Sequence, residues 1–160
     1  MASGKFQGKY RISSTRLRKH DYGGGGSYFI TICTKNRQRH FGEIVGKGDA
    51  VGTGILTGNC PSLSGPYQIM QPRPIGQITI DIWNGIPNHY PMVTLDEFVL
   101  MPDHLHGIIH IKRPKNHKHQ VNKFGIQSMN LPTIIRAFKK SAKRYANQNQ
   151  IVFLMANELL

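Results

Sequence analysis

The order of strand-like and helix-like segments predicts an α+β domain with a mostly antiparallel sheet and helices on one side. Three observations support this. SYFITICTKN, residues 27–36, is β-branched and aromatic. VTLDEFVLM, residues 93–101, turns through Pro102 and Asp103 into HLHGIIHI, residues 104–111, as a tight antiparallel hairpin. Two further segments repeat apolar residues at three- and four-residue steps, as amphipathic helices do.

The elements follow in chain order. Residues 27–36 are entered through the glycines of YGGGGS and left through polar residues, which marks a central strand. Cys33, inside YFITICT, reads as a small buried hydrophobe. FGEIV, residues 41–45, is a short partner strand. Residues 46–73 are dense in Gly, Pro, Ser and Asn and read as a long insertion. From Pro74, Ile75, Ile78, Ile82 and Ile86 form an apolar stripe flanked by Thr79 and Trp83, which predicts a helix ending near Pro87. Gly107, inside the hairpin's second strand, leaves room for close approach to the backbone. After a basic, polar connector over residues 112–128, a second helix runs from Leu131 to about Asn147, with Asn130 as N-cap and Pro132 in its first turn. Its packing face is Leu131, Ile135, Phe138, Ala142 and Tyr145.

A chain of 160 residues with 39% hydrophobic residues suffices for one core, so a single domain over 1–160 is expected, with a basic arm at 1–22 and the insertion at 46–73. The 21 basic residues against 8 acids give a net charge of +13, a field that concentrates polyanions, and nucleic acid is the leading partner class. The charge gathers at both ends: Arg11, Arg16, Arg18 and Lys19 precede the first acid, Asp21, and Arg136, Lys139, Lys140 and Lys143 line the exposed side of the second helix. These eight residues are the expected phosphate contacts. No apolar run is long enough to suggest a membrane span and the N-terminus lacks a secretory apolar region, so a cytoplasmic location is expected. Cys33 and Cys60 are too isolated for a CxxC-type site.

The chemistry centres on His104 and His106. On a strand, side chains two apart leave the same face, so both imidazoles are available to one divalent ion while Leu105 points inward. Two nitrogen ligands would leave Mg or Mn with open positions for phosphate oxygens and a third ligand. His110 continues the alternation and reads as a surface residue, and His117 and His119 read as solvated connector histidines. Asp103 reads first as a turn former and second as a hydrogen-bond partner for a histidine. Tyr145 has two readings, a core aromatic whose hydroxyl reaches the edge or a nucleophile that attacks phosphate. Asn149, one helical turn further, offers an oxygen to a metal held by the histidines.

STRLRKHDY, SYFITICTKNRQRHFGEIV, LDEFVLMPDHLHGIIHI and LPTIIRAFKKSAKR together resemble transposases of the IS200-like superfamily, and most of all its REP-associated tyrosine transposase branch. The resemblance covers residues 10–45 and 74–147. It implies a ferredoxin-like or RRM-like domain with a mainly antiparallel four-stranded sheet, and a His-hydrophobe-His motif at His104 and His106 that binds Mg or Mn. It also implies a helix tyrosine that nicks and rejoins single-stranded DNA beside hairpins through a phosphotyrosine, and often a homodimer.

The resemblance breaks after the AFK helix. The REP-associated branch continues into a further helix with its tyrosine near a YIxxNP-type motif, whereas here NQNQIVFLMANELL follows, so Tyr145 is not equivalent to that nucleophile. In the insertion-sequence branch a tyrosine and a polar metal ligand sit one turn apart on a late helix, a pattern Tyr145 and Asn149 imitate. Three expectations stand: a compact nuclease using His104 and His106, with Asn149 or Gln148 completing the metal shell and Tyr145 as nucleophile; a truncated transposase that binds hairpin-flanked single strands without cutting; and an RRM-type RNA-binding module with Tyr28 or Phe29 as stacking platform.

Overall fold

A computed structural model describes residues 5–6, 9–10, 20–47, 67–113 and 130–156. Apart from a two-residue ladder between Lys5–Phe6 and Lys9–Tyr10 and a single 3-10 turn at Lys35–Arg37, the described elements are β1 (Gly26–Cys33), β2 (Gly42–Lys47), β3 (Tyr67–Pro72), α1 (Pro74–Asn84), α2 (Ile86–His89), β4 (Val93–Leu100), β5 (His104–Ile111) and α3 (Leu131–Gln148). The arrangement is α+β with a ferredoxin-like, RRM-like order, as expected.

β5 is the central strand. It pairs antiparallel with β1 from Cys33 opposite His104 to Gly26 opposite Ile111, and on its other side with β4. Among the described residues the regular sheet therefore has the order β1, β5, β4, with three strands where four were expected. The position beyond β1 is taken by a single antiparallel bridge between Thr34 and Met155, supported by Ala156 N–H donating to Cys33 O at 2.9 Å. The expected partner strand FGEIV does not join this sheet. As β2 it pairs with β3, a strand inside the segment read as a long insertion, from Gly42 opposite Pro72 to Lys47 opposite Tyr67.

Alternation along β5 decides where the core lies. Leu105, Gly107, Ile109 and Ile111 are buried, as are Ile30 and Ile32 of β1, and α1 and α3 cover this face. Trp83 of α1 is fully buried and meets Phe138 of α3 edge-on at 5.6 Å between ring centres. A ring this size removed from water contributes about 3 kcal/mol. The room beside the Gly107 backbone is filled by this indole, since a Cβ at Gly107 would collide with Trp83 Cζ2.

The α1 stripe is rotated from the expected one. Ile75, Gly76, Thr79 and Trp83 are buried while Ile78 and Ile82 lie at the flanks, because the helix turns its largest ring into the gap at Gly107. On α3, Asn130 caps the helix as read, its Oδ1 accepting the Thr133 N–H at 3.0 Å. Leu131, Ile135, Phe138 and Ala142 are buried and Tyr145 is half-buried at the core's edge. At the outer edge of the sheet, β4 carries a bulge between Leu95 and Phe98 and exposes Asp96 and Glu97, features that oppose pairing with another strand.

Replacing Gly107 by alanine is expected to lower unfolding stability by about 1–3 kcal/mol, because Trp83 has nowhere to retreat in a packed interior. A urea titration checks this, the midpoint falling with an unchanged slope.

Candidate metal and nucleic-acid face

The face of the sheet opposite the helices carries the other half of β5: His104, His106, Ile108 and His110. The register sets Cys33, Thr31, Phe29 and Ser27 of β1 against them in that order. The two imidazoles expected to act together do share this face, with ring centres 4.8 Å apart and planes 78° apart.

Each ring is held through its Nδ1. His104 donates its Nδ1–H to Asp103 Oδ1 at 2.6 Å, and the other carboxylate oxygen accepts from Arg37 Nε at 3.1 Å. Thr31 Oγ1 lies 2.9 Å from His106 Nδ1, and Phe29 stacks on a face of that ring, 5.3 Å between centres and 21° between planes. With Nδ1 engaged in both rings, Nε2 is the nitrogen left to each for a ligand, the arrangement by which protein partners orient imidazoles for metal.

The turn that starts β5 is clamped to the end of β1. Thr34 N–H donates to Asp103 O at 2.8 Å and Phe41 N–H to Pro102 O at 2.9 Å. Between these anchors Asn36 and Arg37 take left-handed backbone, φ 56° and 55°, a conformation that costs a residue with a side chain about 1–2 kcal/mol. The turn directs the Arg37 guanidinium to Asp103 and, through Nη1, to Cys33 Sγ at 3.0 Å. Cys33 is thus a half-exposed residue beside His104 and not the buried one expected, because its position in the alternation faces away from the helices.

His110 lies further along the strand as a surface residue. It donates from Nε2 to Asp96 Oδ2 at 3.0 Å, and its Nδ1 accepts from Ser27 Oγ at 2.7 Å. The hydrogen bond from His110, with the Glu97 backbone N–H, holds the Asp96 carboxyl below its ordinary value.

The remaining expected residues are elsewhere. Tyr145 packs against the core on α3, the helix covering the other side of the sheet. Asn149 ends that helix, its Nδ2 donating to Tyr145 O at 2.9 Å. Arg136, Lys140 and Lys143 are exposed on α3, and Lys139 donates to Ala156 O at 3.1 Å. These six residues lie on or at the end of α3, the helix that covers the core side of the sheet. Arg11, Arg16, Arg18, Lys19, Cys60, His117 and His119 lie outside the described residues. Among the described residues no three His, Cys, Asp or Glu side chains converge as a metal cluster. Nor is any described helix long and apolar enough to cross a membrane.

Sequence reasoning missed Thr31, Phe29 and Arg37 as neighbours of the histidines. Alternation within YFITICT assigns Phe29 and Thr31 to one face, but pairing them with His106 needs the register, and Arg37 needs the left-handed turn.

Asp103 yields a pH dependence. Burial raises its carboxyl, but the His104 hydrogen bond and the Arg37 charge together outweigh burial and hold it below the ordinary value. A folded value below the unfolded one stabilises the fold above the unfolded value, and that stability is lost as pH falls through the folded one. In EDTA, Asp103→Asn is expected to be less stable than the parent at neutral pH and to converge with it in acid, read from urea midpoints across the acid range.

No family model matches the chain. An uncharacterized protein of Haemophilus influenzae is 32% identical over 155 residues, a match spanning 91% of this chain and 74% of that protein. At that identity and coverage, this chain belongs to the same family as the Haemophilus influenzae protein.

Proposed function

We propose that this chain is a DNA-processing protein of the IS200-like transposase kind, nicking and rejoining hairpin-flanked single-stranded DNA with the help of Mg or Mn. The observation that carries the reading is the His104 and His106 pair, each ring tethered through Nδ1 and its Nε2 left for a ligand on an open sheet face. The donor set fits a divalent cation, with His104 and His106 as the residues that would hold it. Imidazole nitrogen makes Mn the better match of the two ions. When bound, the ion supplies charge neutralisation at a phosphate and leaves positions for its oxygens.

The chain's own residues have defined parts in this reading. Asp103 and Thr31 fix the rings, Arg37 holds Asp103 in its acceptor state, and the net charge of +13 draws the polyanion to the protein. In the nuclease reading Asn149 is the third ligand and Tyr145 the nucleophile, and because α3 covers the opposite face of its own sheet, both would come from a second copy of the chain; the phenolic oxygen would bond to phosphorus as the 3′-oxygen leaves with the proton. A cytoplasmic location goes with this reading. A second reading, binding without cutting, is favoured by Tyr145 lying on the helix that covers the opposite sheet face.

The test incubates the protein with labelled hairpin-flanked single-stranded DNA in Mn or in EDTA, followed by denaturing gel and mass spectrometry. The nuclease reading expects a Mn-dependent covalent adduct on Tyr145, abolished by EDTA and reduced roughly 100-fold or more in His104→Ala/His106→Ala, since charge stabilisation by a metal amounts to several kcal/mol. Binding with neither adduct nor cleavage establishes the second reading. Cleavage indifferent to both histidines overturns the first.

A further inference from the structure

Beside His106 the open face carries an aromatic surface that the metal reading leaves unused. Phe29 is 68% exposed and Val99 43%, large apolar residues that flank β5 on the open sheet face. With Ile108 and the His106 ring they border a groove of about 170 Å³, well below the size of a drug-like pocket and suited to one flat ring. Glu97 also lines it, on the bulge of β4.

We infer that this groove seats one nucleobase of single-stranded DNA, stacked on Phe29, next to the phosphate held at the histidines. The inference deepens the proposed function and rests on it. A DNA occupant is argued from three features. The chain's positive charge favours a polyanion over an apolar peptide. An exposed ring stacks on any base face and so serves a sequence-tolerant single-strand binder. Phe29 touches the very imidazole proposed to serve the phosphate, which sets base and backbone of one nucleotide within reach together. Glu97 supplies the preference: a carboxylate only accepts hydrogen bonds, so it favours a base with an exocyclic amine, cytosine, adenine or guanine, over thymine.

Fluorescence anisotropy in EDTA, with a labelled single strand of roughly twelve nucleotides, tests this without any cleavage step. Phe29→Ala is expected to bind about tenfold more weakly and Phe29→Tyr within about twofold of the parent. An abasic residue walked along the strand is expected to reveal one position where the parent loses affinity and Phe29→Ala loses nothing more. At that position Glu97→Gln is expected to erase the disadvantage of thymine.

Circular dichroism checks that the variants fold, as the exposure of Phe29 implies. Equal affinity of Phe29→Ala and the parent overturns the inference alone, while the histidine-dependent cleavage assay still judges the proposed function. Failure of the parent to bind any single strand overturns both. Binding at least tenfold tighter to the matching RNA overturns the DNA assignment.

Discussion

The structure depends on β5 being paired on both sides. With β1 and β4 satisfying its backbone, the strand is held flat between two environments, and its period-two alternation divides its residues between them. Leu105, Gly107 and Ile109 go to the helices, and His104, His106 and His110 go to the open face. A register slip of one residue would bury the histidines and expose the leucine and isoleucines. The indole of Trp83, fitted against Gly107, opposes such a slip, because no other residue in the strand leaves space for it.

Packing on one side therefore sets geometry on the other. The hairpin turn at Pro102 and Asp103 is tied by backbone hydrogen bonds to Thr34 and Phe41, and Phe41 is itself fully buried. Asp103 is in this way positioned from the core, and it fixes the ring of His104. Thr31 does the same for His106 from the neighbouring strand. Neither ring needs to search for its orientation, so little conformational entropy would be lost on binding a ligand.

The separation of functions between the two sides bears on mechanism. The α3 helix combines a buried stripe with exposed cations, but its cations and Tyr145 belong to the side of the sheet that the histidines do not share. The open face is composed of imidazoles, an exposed phenyl ring and hydroxyls. In the proposed reading, its ring would take a base and its histidines a phosphate.

By itself the sequence determined the α+β class, β1, both strands of the hairpin, α1, and α3 with its Asn130 cap. These are the parts whose signals are local: periodicity, β-branching, turn residues and a capping side chain. It also determined that His104 and His106 share a face, since alternation along a strand requires no partner. Tertiary structure decided what local pattern cannot encode. It moved FGEIV from the main sheet to a ladder with β3, because partner choice is a long-range matter. It reduced the fourth strand to the Thr34 and Met155 bridge and rotated α1 to meet Gly107 with Trp83. It turned Cys33 outward, and it brought Thr31, Phe29 and Arg37 to the histidines. Each of these depends on which strands pair and in what register, and that is set by contacts between residues far apart in the chain.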